Sequence, residues 1–218
     1  MLIFAIIDSL GGNVIIKNLN FADTVRRIIH HELGHWLMSR HVGFDTGEIN
    51  IGMLANHKPY GQAIVYPSPK SQLAQAVDIY DHLLSRTAVL CAGVIADIGW
   101  HKRYASSDYD SDDTEYLYAN GVMDATGLSD SGKIEELLYV MNGIKNPPSQ
   151  DSEEIMNQRH KIRTEAWLKA SEFIDENPIL FGMGEILIKD YFENAIRTFQ
   201  KCYLEKIMLD VQSSNSQS

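Results

Sequence analysis

Four histidines and one glutamate fall within the mostly apolar stretch from Ile28 to Phe44, IIHHELGHWLMSRHVGF. Inside it, His31-Glu32-Leu33-Gly34-His35 forms an HExxH pattern. On an α-helix, residues four apart lie about 40° apart around the axis and one turn along it. His31 and His35 therefore project from one face at a separation that a single metal ion bridges. Glu32 stands about 100° round from His31, outside that ligand pair but within reach of water at the metal. The spacing points to metal-assisted hydrolysis, with Zn2+ held by His31 and His35 and with Glu32 as general base.

The neighbouring histidines are less suited to coordination. His30 lies about 100° behind His31 and is expected at the surface or in a supporting role. His41 follows His35 by six residues, the spacing of a third histidine ligand in metzincins. That arrangement needs a glycine three residues after the second histidine, where this sequence has Met38. In a helix continuing to Arg40, His41 points about 120° away from His35.

A catalytic zinc usually takes three protein ligands and keeps one position open. Two carboxylates are candidates for the third. Asp97 lies in an apolar stretch, flanked by Val94, Ile95, Ala96 and Ile98, where an unpaired charge is costly. Asp113 ends the acidic loop DYDSDD, residues 108–113, where a helix is expected to restart near Thr114. Asp108, Asp110 and Asp112 alternate as in an EF-hand, but Asp113 occupies its glycine position and Ala119 its closing glutamate. No calcium hand is expected, and Asp108 and Asp110 read as solvated charges.

The elements that must position these groups can be traced by periodicity. The HExxH helix begins at an N-cap, Asn20 or Asp23, and carries Val25, Ile28, Ile29, Leu33 and Leu37 at helical spacing, with Gly43 as its stop. Glu48 to Met53 and Gln62 to Tyr66, separated by Asn56-His57-Lys58-Pro59, predict a small β ribbon. Gln72 to Trp100 predicts a long helix, apolar on nearly every face and therefore central. Asn146-Pro147-Pro148-Ser149 marks a boundary, followed by helices over about 151–177 and 183–209. Trp167, Phe173, Phe181, Tyr191, Phe192 and Phe199 are assigned to core packing. Near the N-terminus, Leu2 to Ile7 predicts a buried strand, with Val14 to Ile16 pairing back on it.

The expected fold class is mainly α: a zincin-like helical domain over 1–145 with a β ribbon beside the HExxH helix, a C-terminal helical subdomain over 146–210, and a disordered tail, VQSSNSQS. The net charge of −10, without a basic cluster, argues against nucleic acid as a partner. Cys91 and Cys202 are isolated, forming neither a disulfide framework nor a cysteine zinc site, which fits a reducing, cytoplasmic compartment. The run Leu2 to Ile7 is too short to span a bilayer, so membrane insertion is not expected.

Taken in order, HELGH, then Tyr60-Gly61-Gln62, then AVLCAGVIAD from Ala88 to Asp97, then the loop ending at Asp113 make residues 24–120 resemble the peptidase domain of FtsH-type, AAA-linked zinc metalloproteases. In that family HEAGH is followed by a short ribbon with a glycine-aromatic strand. A helix reading AVLLGGRAAEE comes next, then a loop TGASND whose aspartate is the third zinc ligand. The resemblance implies that His31, His35 and Asp113 hold Zn2+ and that Glu32 is the base. It also implies that Asp97 supports a ligand histidine and that Gly61, Gln62, Ala63 and Ile64 pair with an extended peptide or unfolded protein substrate. Asp112 and Glu115 compete with Asp113 as oxygen donors, and Asp97 is the alternative ligand if Asp113 is not one. The family's ATPase module and membrane anchor are not expected with this domain, so the activity expected is one without attached ATP hydrolysis. A homo-oligomer and a separate ATPase acting in trans are both compatible with that expectation. Two other readings stay open. One is a catalytically silent or regulatory zinc-binding protein. The other is a repressor-cleaving gluzincin of the ImmA/IrrE type, whose glutamate ligand has no convincing counterpart between residues 70 and 100.

Overall fold

In the computed structural model, residues 20–104, 128–175 and 177–215 are described. The expected strand Leu2 to Ile7, its partner Val14 to Ile16, the loop bearing Asp108, Asp110, Asp112, Asp113 and Glu115, and the restart near Thr114 lie outside these residues.

Helix α1 spans Phe21–His41. Asn20 is its N-cap, accepting from the Asp23 backbone N–H at 2.9 Å and so satisfying one of the donors that a helix start leaves unpaired. Gly43, at φ +84, follows the last turn in the left-handed conformation that closes a helix without a Cβ penalty. The chain then pairs as an antiparallel ribbon, β1 (Asp45–Met53) with β2 (Pro59–Tyr66). Each strand is three residues longer than its periodicity suggests, because backbone pairing runs from Asp45 opposite Tyr66 to Met53 opposite Pro59 whatever the side chains. His57, at φ 61, and the Leu54 N–H bonded to the Lys58 carbonyl close the turn.

Helix α2 (Ala76–Tyr104) is the expected central helix. It is long and apolar enough to cross a membrane, and 78% of that apolar window is buried inside the protein. Its contact with α1 depends on small residues. A Cβ on Gly34 would lie 2.4 Å from the Ala92 carbonyl oxygen and 2.8 Å from the Ala96 Cβ, so the glycine within HELGH sets how closely the two helices approach.

Helices α3 (Leu128–Lys145), α4 (Ser152–Asp175) and α5 (Pro178–Glu193) follow. Ile134 and Leu138 of α3, Ile162 and Ala166 of α4, and Leu180 and Met183 of α5 join α1 and α2 in one hydrophobic core. The helix expected over 183–209 is interrupted. After Glu193 the chain passes through Ala195 at φ 54 into a short strand, β3 (Thr198–Phe199), before α6 (Lys201–Asn215). Tertiary pairing wins over helical periodicity there: Ile49 and Asn50 of β1 take Phe199 and Thr198 as partners, the Ile51 N–H donates to the Arg197 carbonyl, and Phe199 is fully buried. The sheet order is β2-β1-β3, which leaves β2 on an edge.

Two further expectations are corrected. The supposed tail is helical through Asn215: Val211 packs against the core, and the Ser213 and Ser214 hydroxyls fold back on the helix, onto the Leu209 and Asp210 carbonyls. Phe192 is 42% exposed instead of in the core, with the Arg26 guanidinium 5.6 Å from its ring centre.

Candidate metal centre

His31 and His35 lie on the buried side of α1 and converge as helical geometry requires, with their Nε2 atoms 3.0 Å apart. A third donor comes from the first turn of α3. Asp130 Oδ2 is 3.3 Å from His31 Nε2 and 3.2 Å from His35 Nε2. The three residues are 4%, 8% and 6% exposed. This buried group can hold a metal ion.

The opposite ring nitrogens decide what the converging atoms offer. His35 Nδ1 is 2.7 Å from the Val89 carbonyl oxygen, an acceptor only, so it carries the proton and leaves an Nε2 lone pair facing inward. His31 Nδ1 donates to Asp97 Oδ2 at 2.8 Å, with the same result. Two lone pairs and a carboxylate oxygen thus converge, an arrangement that needs a positive charge among them. Without a metal, a proton on His31 supplies that charge. Burial pulls the His31 pKa down, but Asp97 and Asp130 outweigh it and raise it well above 6.5. Burial pushes the Asp130 carboxyl up, but the imidazoles of His35 and His31 outweigh it and hold the group far below the ordinary carboxylate range.

Asp97 is fully buried and pairs with Arg27 Nη1 at 3.1 Å as well as with His31. Burial alone raises its pKa, while Arg27 and then His31 more than reverse this, so it stays a carboxylate. Asp97 therefore lies behind the imidazole and away from the converging donors. Beneath the rings α2 has no side chain to spare: a Cβ on Gly93 would lie 2.4 Å from His35 Cε1 and 2.9 Å from His31 Nε2.

Glu32 stands beside this group. Its Oε2 accepts from the Ala63 backbone N–H at 2.7 Å, across the seam between α1 and the edge strand β2. Gly61 leaves room for it, since a Cβ there would lie 2.5 Å from Glu32 Cγ. Gly61, Gln62, Ala63 and Ile64 line the same cleft as His31, Glu32, His35 and Asp130.

His30 is not at the surface. It is fully buried, donates from Nδ1 to the Arg26 carbonyl at 2.8 Å, and sits where a Cβ on Gly184 would come within 2.4 Å of its Nε2. His41 is exposed and stacks on Phe173 at 4.1 Å, remote from the donors, as its helical angle implies.

Asp113 lies outside the described residues, and Asp130, the donor that the structure brings to the histidines, was missed in the sequence. A usable sign was present. Thr126-Gly127-Leu128-Ser129-Asp130 has the Thr-Gly-x-Ser types ahead of an aspartate that the resemblance asks for in its ligand loop. The denser acidic run upstream drew the assignment to Asp113. No family model and no curated protein matches this chain, so a functional reading rests on the residues and their geometry.

Proposed function

We propose that this chain is a zinc-dependent peptidase. The observation that carries the reading is the donor triangle, with sides of 3.0, 3.2 and 3.3 Å. A tetrahedral ion with ligands at about 2.0–2.1 Å has edges of roughly 3.3 Å, so the three atoms fit three corners of a zinc site. Among the described residues no fourth donor joins His31, His35 and Asp130, which leaves a corner for water, as a hydrolytic site requires. A helix that carries such ligands beside an edge strand also favours a zincin-like description of the fold.

Zinc bound by these residues would supply a Lewis acid and acidify water near neutral pH. Asp97 and the Val89 carbonyl fix the tautomers that aim both Nε2 lone pairs inward. Glu32 is the general base, taking a proton from water in the cleft and delivering it to the leaving amine. The Ala63 N–H that now holds Glu32 points away from β1. Backbone groups two residues apart, at Gly61 and Ala63, thus present the same outer edge to an extended peptide. Three donors without a fourth among the described residues, combined with a carboxylate at that edge, favour catalysis over a purely structural zinc site.

The test is Glu32→Gln, with bound zinc and cleavage of casein or a fluorogenic peptide measured on one preparation. The expected result is wild-type zinc content with cleavage reduced by at least about 100-fold, the scale of a lost general base. Cleavage at the wild-type rate would remove the enzyme from consideration.

A further inference from the structure

The cleft beside the donors has a volume of about 510 Å3, and its charged walls are Glu32, Asp130, Arg86 and Lys133. Lys133 is already engaged, its Nζ 3.2 Å from Asp130 Oδ1. Arg86 is not: among the described residues its guanidinium makes no hydrogen bond or ion pair. The side chain is half-buried, and its desolvation, only partly offset by the field of Asp130, lowers its pKa. A planar fork of N–H donors held partly out of water, with no acceptor bonded to it among the described residues, matches a carboxylate in geometry and charge.

Its place on α2 fixes where that carboxylate would sit. Arg86 precedes Val89 and Leu90, both in the cleft wall, by three and four residues, and Gly93, which abuts both imidazoles, by seven. Seven helical residues advance about 10 Å. An extended peptide covers that distance in about three residues. The electrostatics point the same way. Among the described residues the two wall carboxylates and two wall cations cancel, so a bound divalent cation would leave these walls positive within a protein of net charge −10.

We propose that Arg86 is a seat for a substrate carboxylate, from an acidic side chain or a free C-terminus within about three residues of the reacting bond, and that it determines which peptides the cleft accepts. This rests on the peptidase reading. The test uses the zinc-loaded full chain carrying Glu32→Gln, so that binding is read without turnover. Three peptides carrying an uncharged BODIPY label are compared by anisotropy: one neutral with an amidated end, the same peptide with one glutamate, and the same peptide with a free C-terminus. A carboxylate peptide is expected to bind about 10- to 100-fold more tightly than the neutral one, with the glutamate or the free end as the source according to which peptide gains. Adding Arg86→Gln should abolish the advantage and Arg86→Lys should restore part of it, with thermal melts confirming that both variants are folded. Equal binding of all three peptides, or an advantage that survives Arg86→Gln, overturns the seat. Carboxylate-dependent binding by a wild-type chain that cleaves nothing would remove the peptidase and keep the seat. Cleavage without any carboxylate preference would do the reverse.

Discussion

Asp130→Asn isolates the third donor, since it preserves the shape of the side chain while removing the charge that faces His31 and His35. Zinc in a four-coordinate structural site contributes about 10–16 kcal/mol near neutral pH, so one ligand's share is about 3–4 kcal/mol, or about 100- to 1000-fold in affinity. At free zinc about 1000 times the wild-type Kd, binding stabilises the native chain by about 4.1 kcal/mol. The variant at the same zinc concentration keeps only about 0.4–1.4 kcal/mol. For a chain of this size each kcal/mol moves Tm by about 2–4 °C, so the zinc-induced rise in Tm should shrink by roughly 5–15 °C. Scanning fluorimetry in zinc-buffered solution measures the rise, and competition with a chromophoric chelator measures the affinity. Asp113→Asn is the matched control and should melt as the wild type does, because the seat beside both imidazoles is taken by Asp130. An undiminished zinc shift in Asp130→Asn would refute the donor assignment, and a shift lost only in Asp113→Asn would transfer it to the acidic loop.

Gly93→Ala drives a methyl into the His35 ring, and is expected to cost about 1–3 kcal/mol in urea unfolding and to abolish high-affinity zinc binding; normal zinc uptake would show that α2 yields there. Asp97→Asn breaks the buried pair with Arg27 and loosens His31, so unfolding should become easier by about 3–5 kcal/mol and zinc affinity should drop by about 10- to 100-fold. A folded variant with wild-type affinity would leave Asp97 a purely structural role. Glu165 accepts from Tyr80 and Lys145 and so fastens α4 to α2 and α3. Burial pushes its carboxyl up, but Lys145 and Tyr80 outweigh it and hold it below 4.5. Its contribution is therefore present above about pH 4.5 and lost as pH falls through the lower folded value, and solvent screening limits it to about 1 kcal/mol. Glu165→Gln should flatten the acid limb of a stability-pH profile by that amount, and an identical limb would show that the pair contributes nothing.

Local rules made α1 legible, because its cap, its apolar spacing and its terminal glycine all lie within residues 20–43. The same holds for the turn at His57 and for the apolar α2, whose composition leaves it nowhere but the centre. What escaped depends on long-range partners. Nothing in Ile196 to Phe199 announces a strand until β1 lies alongside, and Ser213 and Ser214 look unstructured until Val211 is seen to pack. The third donor failed for the same reason. An aspartate becomes a candidate ligand by being held where two imidazoles converge, and a helix start 95 residues after His35 does this through tertiary packing. Acidic density is a local property and carries no information about which aspartate tertiary packing brings to the imidazoles.

The buried charges around His31 are better explained by orientation than by stability. Arg27 and Asp97 are both fully buried, and such a pair at best breaks even against apolar residues of similar volume. A core made only of residues like the neighbouring Ile28, Leu33 and Ile95 would hold α1 to α2 at least as well. What apolar side chains cannot do is accept the Nδ1 proton of an imidazole. Asp97 does so at 2.8 Å, Arg27 keeps Asp97 ionised, and the lone pair of His31 is thereby turned toward His35 and Asp130. The Val89 carbonyl performs the same task for His35 using only the backbone, because Gly93, one turn further along α2, lets that helix lie directly against the rings. One imidazole is thus aimed by a buried ion pair and the other by a peptide carbonyl. The expense of the first is intelligible only if the direction of the His31 lone pair matters, which is the requirement that a metal ligand imposes.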